Sequence, residues 1–384
     1  FRLYFTNELK KETRLLYRRN IMQRIKELYP FLLHTQPYTA VVNGKLVWII
    51  DSYTSAVNFP YAAGYKVNVP GYISRTVDYF RNSVKIVVDA YDGTVKAYIV
   101  DKSCPIIRTW QKIFPTSFEQ DQPSAELRAH FKYPETILEL VAQVFSLYHV
   151  TDPQVFYNRE DVYQVSDELY YNIKNPYGPY YQICRLPGQN ELRLNLMTMF
   201  IPAQTQIVRG LMSATLDTNT METEVVFYSF PKTRHRRDGV MQFLARIDQT
   251  PSIKEKLPLW GNRFMGNMLV YPLLEKSGKV SLLYVQPVYI RSTNARFPQI
   301  KMIIVGDGAN RISWGFSFNE AVSNLLSESV AQSSESGSTT TTTPRNVREE
   351  VKRAFNDYLK YLRENNFVEA GKSLQKVKML MQQL

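Results

Sequence analysis

Two β-hairpins with strong turn dipeptides constrain the fold of this chain more than any other feature. Asn43-Gly44 and Asp92-Gly93 each separate two runs rich in Val, Ile and Tyr. These dipeptides favour tight hairpin turns, because their residues tolerate the positive φ angles that such turns require. The two hairpins lie about fifty residues apart, and two copies do not indicate a repeat architecture. The sequence therefore predicts at least one sizeable sheet, built partly from hairpins.

Helical periodicity is interspersed with these strands. Residues 7–29 carry an apolar stripe that Pro30 closes, and residues 105–114 and 134–149 begin with proline, which favours the first turn of a helix. Further strands are predicted at 180–186, 191–201, 224–230, 267–274, 281–290 and 301–305, and helices near 238–248, 251–260 and 317–328. We therefore predict the α+β class, with a mixed β-sheet core and interspersed helices.

The C-terminal part differs in composition from the rest of the chain. Residues 331–344 form a Ser/Thr-rich linker that cannot bury apolar surface, and a helical hairpin is predicted after it. The predicted organisation is an N-terminal helix at 1–30, a β-hairpin plus helical subdomain at 31–165, a second α+β subdomain at 166–330, the linker at 331–344, and the C-terminal helical hairpin at 345–384.

The positive charge is concentrated at the two ends. The chain holds 47 Lys and Arg against 35 Asp and Glu, a formal net charge of +12. Residues 1–29 contribute +5 and residues 345–384 contribute +4, which leaves +3 for the 315 residues between them. Nucleic-acid binding needs basic and aromatic side chains together on one face, and a nearly neutral body argues against it.

Cysteine content and apolar runs exclude several classes of protein. Cys104 and Cys184 are the only cysteines, so a disulfide scaffold is excluded while a single bridge stays open. No paired Cys/His spacing predicts a metal site, and no cofactor motif appears. No apolar run approaches the roughly 18–20 residues that span a bilayer. Since the first residue is Phe1, we expect a fragment or a processed product.

Polar residues near turns and helix ends are the candidates for chemistry. Paired carboxylates can bind a cation or act as acid and base, and a histidine can act as a ligand or base. The catalytic candidates are Asp89, Asp92, His130, Glu160 and Asp161. The candidates for ligand binding are Arg81, Asn82, Arg128, Tyr157, Asn158 and Arg159. The structural alternative is that Asp-Gly turn chemistry, helix capping and an ion network account for them.

Several blocks, in this order along the chain, carry a family resemblance. They are residues 37–38, 46–54, 80–85, 88–95, 126–130, 133–135, 148–153, 155–161, 179–181, 185–188, 245–249, 266–270 and 282–287. Together they resemble the large extracytoplasmic domain of an uncharacterised protein family, a UPF group, of multi-pass bacterial membrane proteins. The block that begins at Asp78 departs slightly from the family pattern. Because no activity is established for that family, no catalytic residue is carried over.

The resemblance implies a location and partners. Residues 1–30 would be a juxtamembrane helix that follows the protein's own N-terminal transmembrane bundle. The domain would be extracytoplasmic at the cell membrane, near anionic lipid or an envelope polymer, with no nucleic-acid partner. The basic residues expected near lipid are Lys10, Lys11, Arg14, Arg18 and Arg19. A binding or assembly module without enzymatic activity is the first hypothesis. The alternatives are a hydrolase of envelope polymers with an acidic site and, third, a nucleic-acid-binding protein.

Overall fold

A computed structural model describes residues 10, 11, 13, 18–170, 173–230, 237–276, 278–291, 297–309 and 311–332, and residues 357, 360 and 373. The chain forms two compact units, Phe1–Leu326 and Ser327–Leu384. The predicted C-terminal helical hairpin lies outside the described residues apart from those last three positions. Of the predicted linker, residues 331 and 332 are described, and both are helical.

The described residues contain the following helices and strands. The α-helices are α1 (Ile21–Leu28), α2 (Pro105–Ile113), α3 (Ala125–Ala129), α4 (Glu135–Tyr148), α5 (Pro153–Asn158), α6 (Val240–Gln249), α7 (Pro251–Lys254) and α8 (Phe318–Gln332). The strands are β1 (Leu33–His34), β2 (Tyr38–Val42), β3 (Lys45–Ala56), β4 (Tyr65–Val67), β5 (Arg75–Val77), β6 (Tyr79–Asp89), β7 (Val95–Ile99), β8 (Tyr163–Val165), β9 (Asp167–Tyr170), β10 (Ile173–Pro176), β11 (Tyr180–Cys184), β12 (Arg193–Pro202), β13 (Gly210–Leu216), β14 (Thr223–Ser229), β15 (Arg263–Met265), β16 (Leu269–Leu274), β17 (Val280–Ile290), β18 (Gln299–Gly306) and β19 (Ile312–Gly315).

The first helix begins later than its apolar stripe suggested. Helix α1 starts at Ile21, because the side chain of Asn20 accepts a hydrogen bond from the backbone N–H of Gln23 and caps the first turn. Residues 1–9, 12 and 14–17, within or before the predicted helix, lie outside the described residues. The described part of this helix packs Ile25 into the core under the first sheet.

Both predicted hairpins are present, and they join in one sheet. Strands β2 and β3 turn at Asn43 and Gly44, both with positive φ, and β6 and β7 turn at Asp92-Gly93. The first sheet has the order β1-β3-β6-β7, and β2 also pairs with β3. Because β3 and β6 pair over almost their full length, the two hairpins become the centre of one antiparallel sheet.

Among the described residues, the first unit also holds two further five-stranded sheets and two two-stranded sheets, β4–β5 and β9–β10. The second sheet has the order β11-β12-β13-β14 with β8 beside β12, and the third has the order β15-β17-β18-β19 with β16 beside β17. Helix α6 packs Phe243 and Ile247 into a core that includes Met199 of the second sheet and Tyr284 of the third. Every pairing among the described strands is antiparallel, and the α+β class is confirmed.

Helix α4 lies between the first and second sheets. Its residues Leu138 and Ala142 pack on Leu196 and Phe200 of the second sheet. On another side, its residue Leu140 packs against the cluster that contains Tyr53 of the first sheet. The segment before α4 is therefore held where the two sheets approach each other.

A buried histidine makes the stability of the fold depend on pH. His34 is fully buried, its Nε2 donates to the carbonyl of Tyr29 at 3.1 Å, and its Nδ1 accepts from the hydroxyl of Ser52 at 2.8 Å. Burial lowers the pKa of His34 from 6.5 to about 4. Below pH 6.5 the unfolded chain therefore binds a proton at His34, whereas the folded chain does not bind it until the pH approaches 4. The free energy of unfolding falls over this interval as the pH decreases.

We predict that the His34 contribution to the free energy of unfolding drops by about 2 kcal/mol between pH 7.5 and pH 5, at about 1.4 kcal/mol per pH unit below 6.5. Urea denaturation measures the free energy of unfolding of the wild type and of His34→Gln at both pH values. Subtracting the change with pH in the variant from the change in the wild type cancels the contributions of other titrating groups. Equal pH dependence in the two proteins would contradict the assignment.

Candidate functional site

A cavity of about 840 Å³ opens between the first and second sheets. Its walls are the start of β6, the segment 99–103 after β7, residues 122–123, the segment 132–137 that enters α4, and the β13–β14 turn. Ligand sites typically have volumes of about 300–1,000 Å³, so this cavity is large enough for a small molecule.

A buried ion pair lies beside the cavity, and its lysine, Lys85, is part of the lining. Asp51 on β3 and Lys85 on β6 are cross-strand partners, so their side chains point to the same face of the sheet. The Lys85 Nζ contacts Asp51 Oδ1, and the two side chains are 2% and 5% exposed, respectively. Burial lowers the pKa of Lys85, and the Asp51 carboxylate opposes that shift.

Two more polar groups stabilise this pair. The Nζ of Lys85 also donates to the carbonyl of Lys132 at 2.7 Å. The Nδ2 of Asn82 donates to Asp51 Oδ1 at 3.2 Å. Buried charges need such additional hydrogen bonds, because their mutual attraction alone does not offset the loss of hydration.

The Lys132 side chain lies between two tyrosine rings. Its Nζ is 4.6 Å from the ring centre of Tyr38 and 4.3 Å from that of Tyr181. Burial raises the pKa of both tyrosines, so their rings stay neutral at physiological pH. Cation–π contacts hold the ammonium in place without neutralising its charge. In the described part of the chain Lys132 forms no ion pair.

Cations outnumber carboxylates around the cavity. Its lining holds four cationic side chains, Arg81, Lys85, Lys102 and Lys132, and two carboxylates, Asp101 and Glu222. Asp101 accepts from Arg81 at 3.0 Å, and Asp51 pairs with Lys85. The lining itself therefore carries two more cations than carboxylates, which suits an anion, while Asp51 and Glu135 lie outside the lining and act on the nearby Tyr181 ring.

Of the residues predicted from the sequence, Arg81 and Asn82 line this cavity. Asp89 and Asp92 do not line it. Asp89 ends β6 about 23 Å from Asn82, at about 3.3 Å per residue, and Asp92 lies in the turn beyond it. The Asp89 carboxylate accepts from the backbone N–H of Tyr91 at 2.7 Å, and that of Asp92 accepts from Thr94 at 2.8 Å. The Thr94 hydrogen bonds lower the pKa of Asp92.

His130 and Arg128 belong to the short helix α3. His130 is exposed and ends that helix, and its carbonyl accepts from the Tyr38 hydroxyl at 3.3 Å. Arg128 is half-buried on the same helix. Neither side chain lines the cavity, although their helix directly precedes the segment that does.

The stretch around helix α5 is exposed and lies apart from the cavity lining. Tyr157 is 85% exposed, and the Asn158 side chain donates to Glu160 at 2.9 Å. Arg159 ends α5 with a positive φ of 55°, and Asp161 is exposed. The structure thus does not gather the five catalytic candidates around the cavity.

Three central residues of the site, Asp51, Lys85 and Lys132, were not singled out from the sequence. A usable signal was present for two of them. Asp51 follows the apolar run 46–50, and Lys85 stands inside the apolar run 84–88. A charged residue in the middle of a central strand is rarely buried unless it is paired, so two such residues indicate a buried pair.

Metal binding, disulfide formation and membrane spanning depend on other groups in the described residues. No group of three or more His, Cys, Asp or Glu side chains there is placed to bind a metal ion. Cys104 and Cys184 are both buried free thiols, so the disulfide left open by the sequence is not formed. None of the helices in this part of the chain has both the length and the apolar character to cross a bilayer.

We predict that Lys85→Met lowers the free energy of unfolding by about 3–5 kcal/mol, because it leaves the Asp51 carboxylate buried without a cation. Adding Asp51→Asn removes that charge and recovers part of the loss. Urea denaturation measures both effects. The matched control is Lys96→Met on β7, an exposed lysine whose replacement changes stability by about 0.5 kcal/mol or less. Equal stability of the two single variants would contradict the buried pair.

Comparison with known proteins places the chain in a family. Residues 1–260 match the family described as "Uncharacterised protein family (UPF0182)". A UPF0182 protein of Trichodesmium erythraeum is 33% identical over 401 residues, which cover 99% of this chain and 42% of the relative. One from Desulfitobacterium hafniense is 37% identical over 338 residues, covering 85% of this chain and 34% of the relative. One from Methanospirillum hungatei is 36% identical over 327 residues, covering 83% of this chain and 35% of the relative.

The chain thus spans about a third to two fifths of the length of these curated relatives. No solved structure matches it. The family match covers more than half of the chain and includes the first sheet, the segment before α4 and the β13–β14 turn that line the cavity. On these grounds the chain belongs to the UPF0182 family.

Proposed function

We propose that this part of the protein is a binding module of the cell envelope, which holds an anionic ligand in the cavity between the first and second sheets and is not an enzyme. One observation carries the proposal: Lys132 is half-buried in the cavity wall, held by two neutral tyrosine rings, and without an ion pair among the described residues. A partly buried cation that no carboxylate neutralises attracts an anion more strongly than a fully exposed lysine does, because the effective dielectric constant around it is lower.

The surrounding groups support an anion in particular. Arg81 and Lys102 stand at the exposed rim, where they raise the local concentration of an approaching anion. The buried Lys85 fixes the backbone of Lys132, and the rings of Tyr38 and Tyr181 hold its ammonium group before a ligand binds. A site organised in advance loses less conformational entropy on binding.

The hydrolase alternative needs two carboxylates that act together. Glycosidases place such a pair about 5–10 Å apart. Within the described residues, Asp89 and Asp92 cap a turn far from the cavity, and Glu160 accepts from Asn158 on an exposed loop. Asp101 and Glu222 do line the cavity, but Arg81 pairs with Asp101 at 3.0 Å, so the geometry supports binding over acid–base catalysis.

The family resemblance and the distribution of charge support the proposed location at the envelope. The relatives are two to three times longer than this chain, which leaves room for the membrane bundle that the resemblance implies. Lys10, Lys11 and Arg19 are exposed, as is Arg18, which pairs with Glu27, whereas Arg14 lies outside the described residues. Basic residues near a membrane each gain about 1 kcal/mol from anionic lipid.

We predict that glycerol 3-phosphate binds to the chain and that Lys132→Gln weakens its binding about tenfold, since a hydrogen bond to a charged group contributes about 1.5–3 kcal/mol. Isothermal titration calorimetry in low salt measures both affinities. The matched control is Lys96→Gln, which removes an equally charged lysine from an exposed position that does not line the cavity. Equal weakening by the two variants, or no binding by the wild type, would contradict the proposal.

We further predict that the domain faces the extracytoplasmic side of the full-length protein. Tyr91 is fully exposed, so the cysteine introduced by Tyr91→Cys is open to reagents, whereas both native cysteines of this chain are buried. A membrane-impermeant maleimide should label this variant in intact cells as fully as in lysed cells. Labelling only after lysis would place the domain in the cytoplasm.

A further inference from the structure

An exposed apolar strip lies on the second sheet beside the cavity. Ile183 on β11 and Leu194 on β12 are cross-strand partners, 68% and 44% exposed. Leu192, two positions before Leu194, is 69% exposed, and Val225 on β14 is 40% exposed. We call these four residues the apolar strip. Single exposed apolar side chains are ordinary, but a contiguous group of them marks a binding surface.

The cation of the cavity stands at one end of this strip. Tyr181 precedes Ile183 by two residues on β11, so both side chains lie on the same face of the sheet. The ring of Tyr181 is 4.3 Å from the Nζ of Lys132. A surface that begins at an ammonium group therefore continues as uncharged hydrocarbon.

The strip also meets the cavity lining along β13 and β14. Leu216 and Thr223 are cross-strand partners, and both line the cavity. Val225 follows Thr223 by two residues and shares its face. Continuing the β12–β13 register by two residues sets Leu194 opposite Leu216. The apolar strip therefore adjoins the cavity lining at Leu216 and Thr223.

We propose that the ligand is an anionic amphiphile, a lipid whose charged headgroup binds at Lys132 and whose acyl chain lies along the apolar strip. This inference rests on the proposed function, because it takes the cavity to hold an anion. Charge complementarity selects this occupant. A lipid with an anionic headgroup matches both the cation and the hydrocarbon, whereas a second copy of the chain or an apolar peptide would cover the strip and leave Lys132 without an anion.

The test is a series of probes that share one headgroup and differ in chain length. Glycerol 3-phosphate, hexanoyl lysophosphatidic acid and octanoyl lysophosphatidic acid are titrated by calorimetry, each below its micelle concentration. A fully buried methylene strengthens binding about fourfold, and on a half-open strip we expect at least a tenfold gain from the first probe to the last. Octanoyl lysophosphatidylcholine, which has no net charge, should bind at least tenfold more weakly than the anionic octanoyl probe.

Two double variants separate the strip from its surroundings. Ile183→Thr/Leu194→Thr should abolish the gain from chain length and leave glycerol 3-phosphate binding unchanged. The control is Val41→Thr/Leu46→Thr, because Val41 and Leu46 are also exposed cross-strand partners, on the first sheet and outside the cavity lining. It should retain the gain. Circular dichroism and thermal melts confirm that both variants are folded.

The outcomes distinguish this inference from the proposed function. Binding of glycerol 3-phosphate without any gain from chain length would overturn the lipid assignment and leave the anion site standing. Failure of every probe to bind would overturn both. A wild type that self-associates through the strip, with Ile183→Thr/Leu194→Thr monomeric in light scattering, would replace the lipid by a second copy of the chain.

Discussion

The buried ion pair between Asp51 and Lys85 joins the two central strands of the first sheet, and the geometry of the cavity depends on it. Removing two charges from water costs several kcal/mol per ion, and the pair persists because Asn82 and a backbone carbonyl supply further hydrogen bonds. That carbonyl belongs to Lys132. The same ammonium group that neutralises Asp51 therefore also fixes the backbone of the residue that presents the free cation to the cavity.

The segment 130–133 shows how two sheets can be connected through a loop. Three of its carbonyls accept hydrogen bonds, each from a side chain of a different strand. The donor–acceptor distances are 3.3 Å for the Tyr38 hydroxyl, 2.7 Å for the Lys85 ammonium group and 2.6 Å for the Tyr181 hydroxyl. Tyr38 and Lys85 belong to the first sheet, and Tyr181 belongs to the second. The backbone carbonyls of a loop between sheets need hydrogen-bond donors from nearby side chains. Here those hydrogen bonds also hold the two sheets together beside the cavity.

Local signals in the sequence were sufficient for the hairpins but not for the site. Asn43-Gly44 and Asp92-Gly93 set both turns, because the required φ angles are a property of those residues alone. The central strands extend further than their apolar runs, because β3 continues beyond the buried Asp51 to Ala56 and β6 begins at Tyr79, before the polar residues Arg81 and Asn82. The position of Lys132 follows from contacts between sheets, which no local periodicity records.

The two lysines of the cavity illustrate how burial decides the availability of a charge. Lys85 is almost completely buried, so its ammonium group must be matched by a carboxylate and cannot serve a ligand without breaking that pair. Lys132 is only half-buried, and aromatic faces stabilise it with no carboxylate partner among the described residues. Cation–π contacts do not neutralise the ammonium group, so Lys132 can still attract an anion. The charge of Lys85, by contrast, is already neutralised by Asp51. The neighbouring apolar strip then selects among anions those that also carry hydrocarbon, because a small hydrophilic anion gains nothing from that surface.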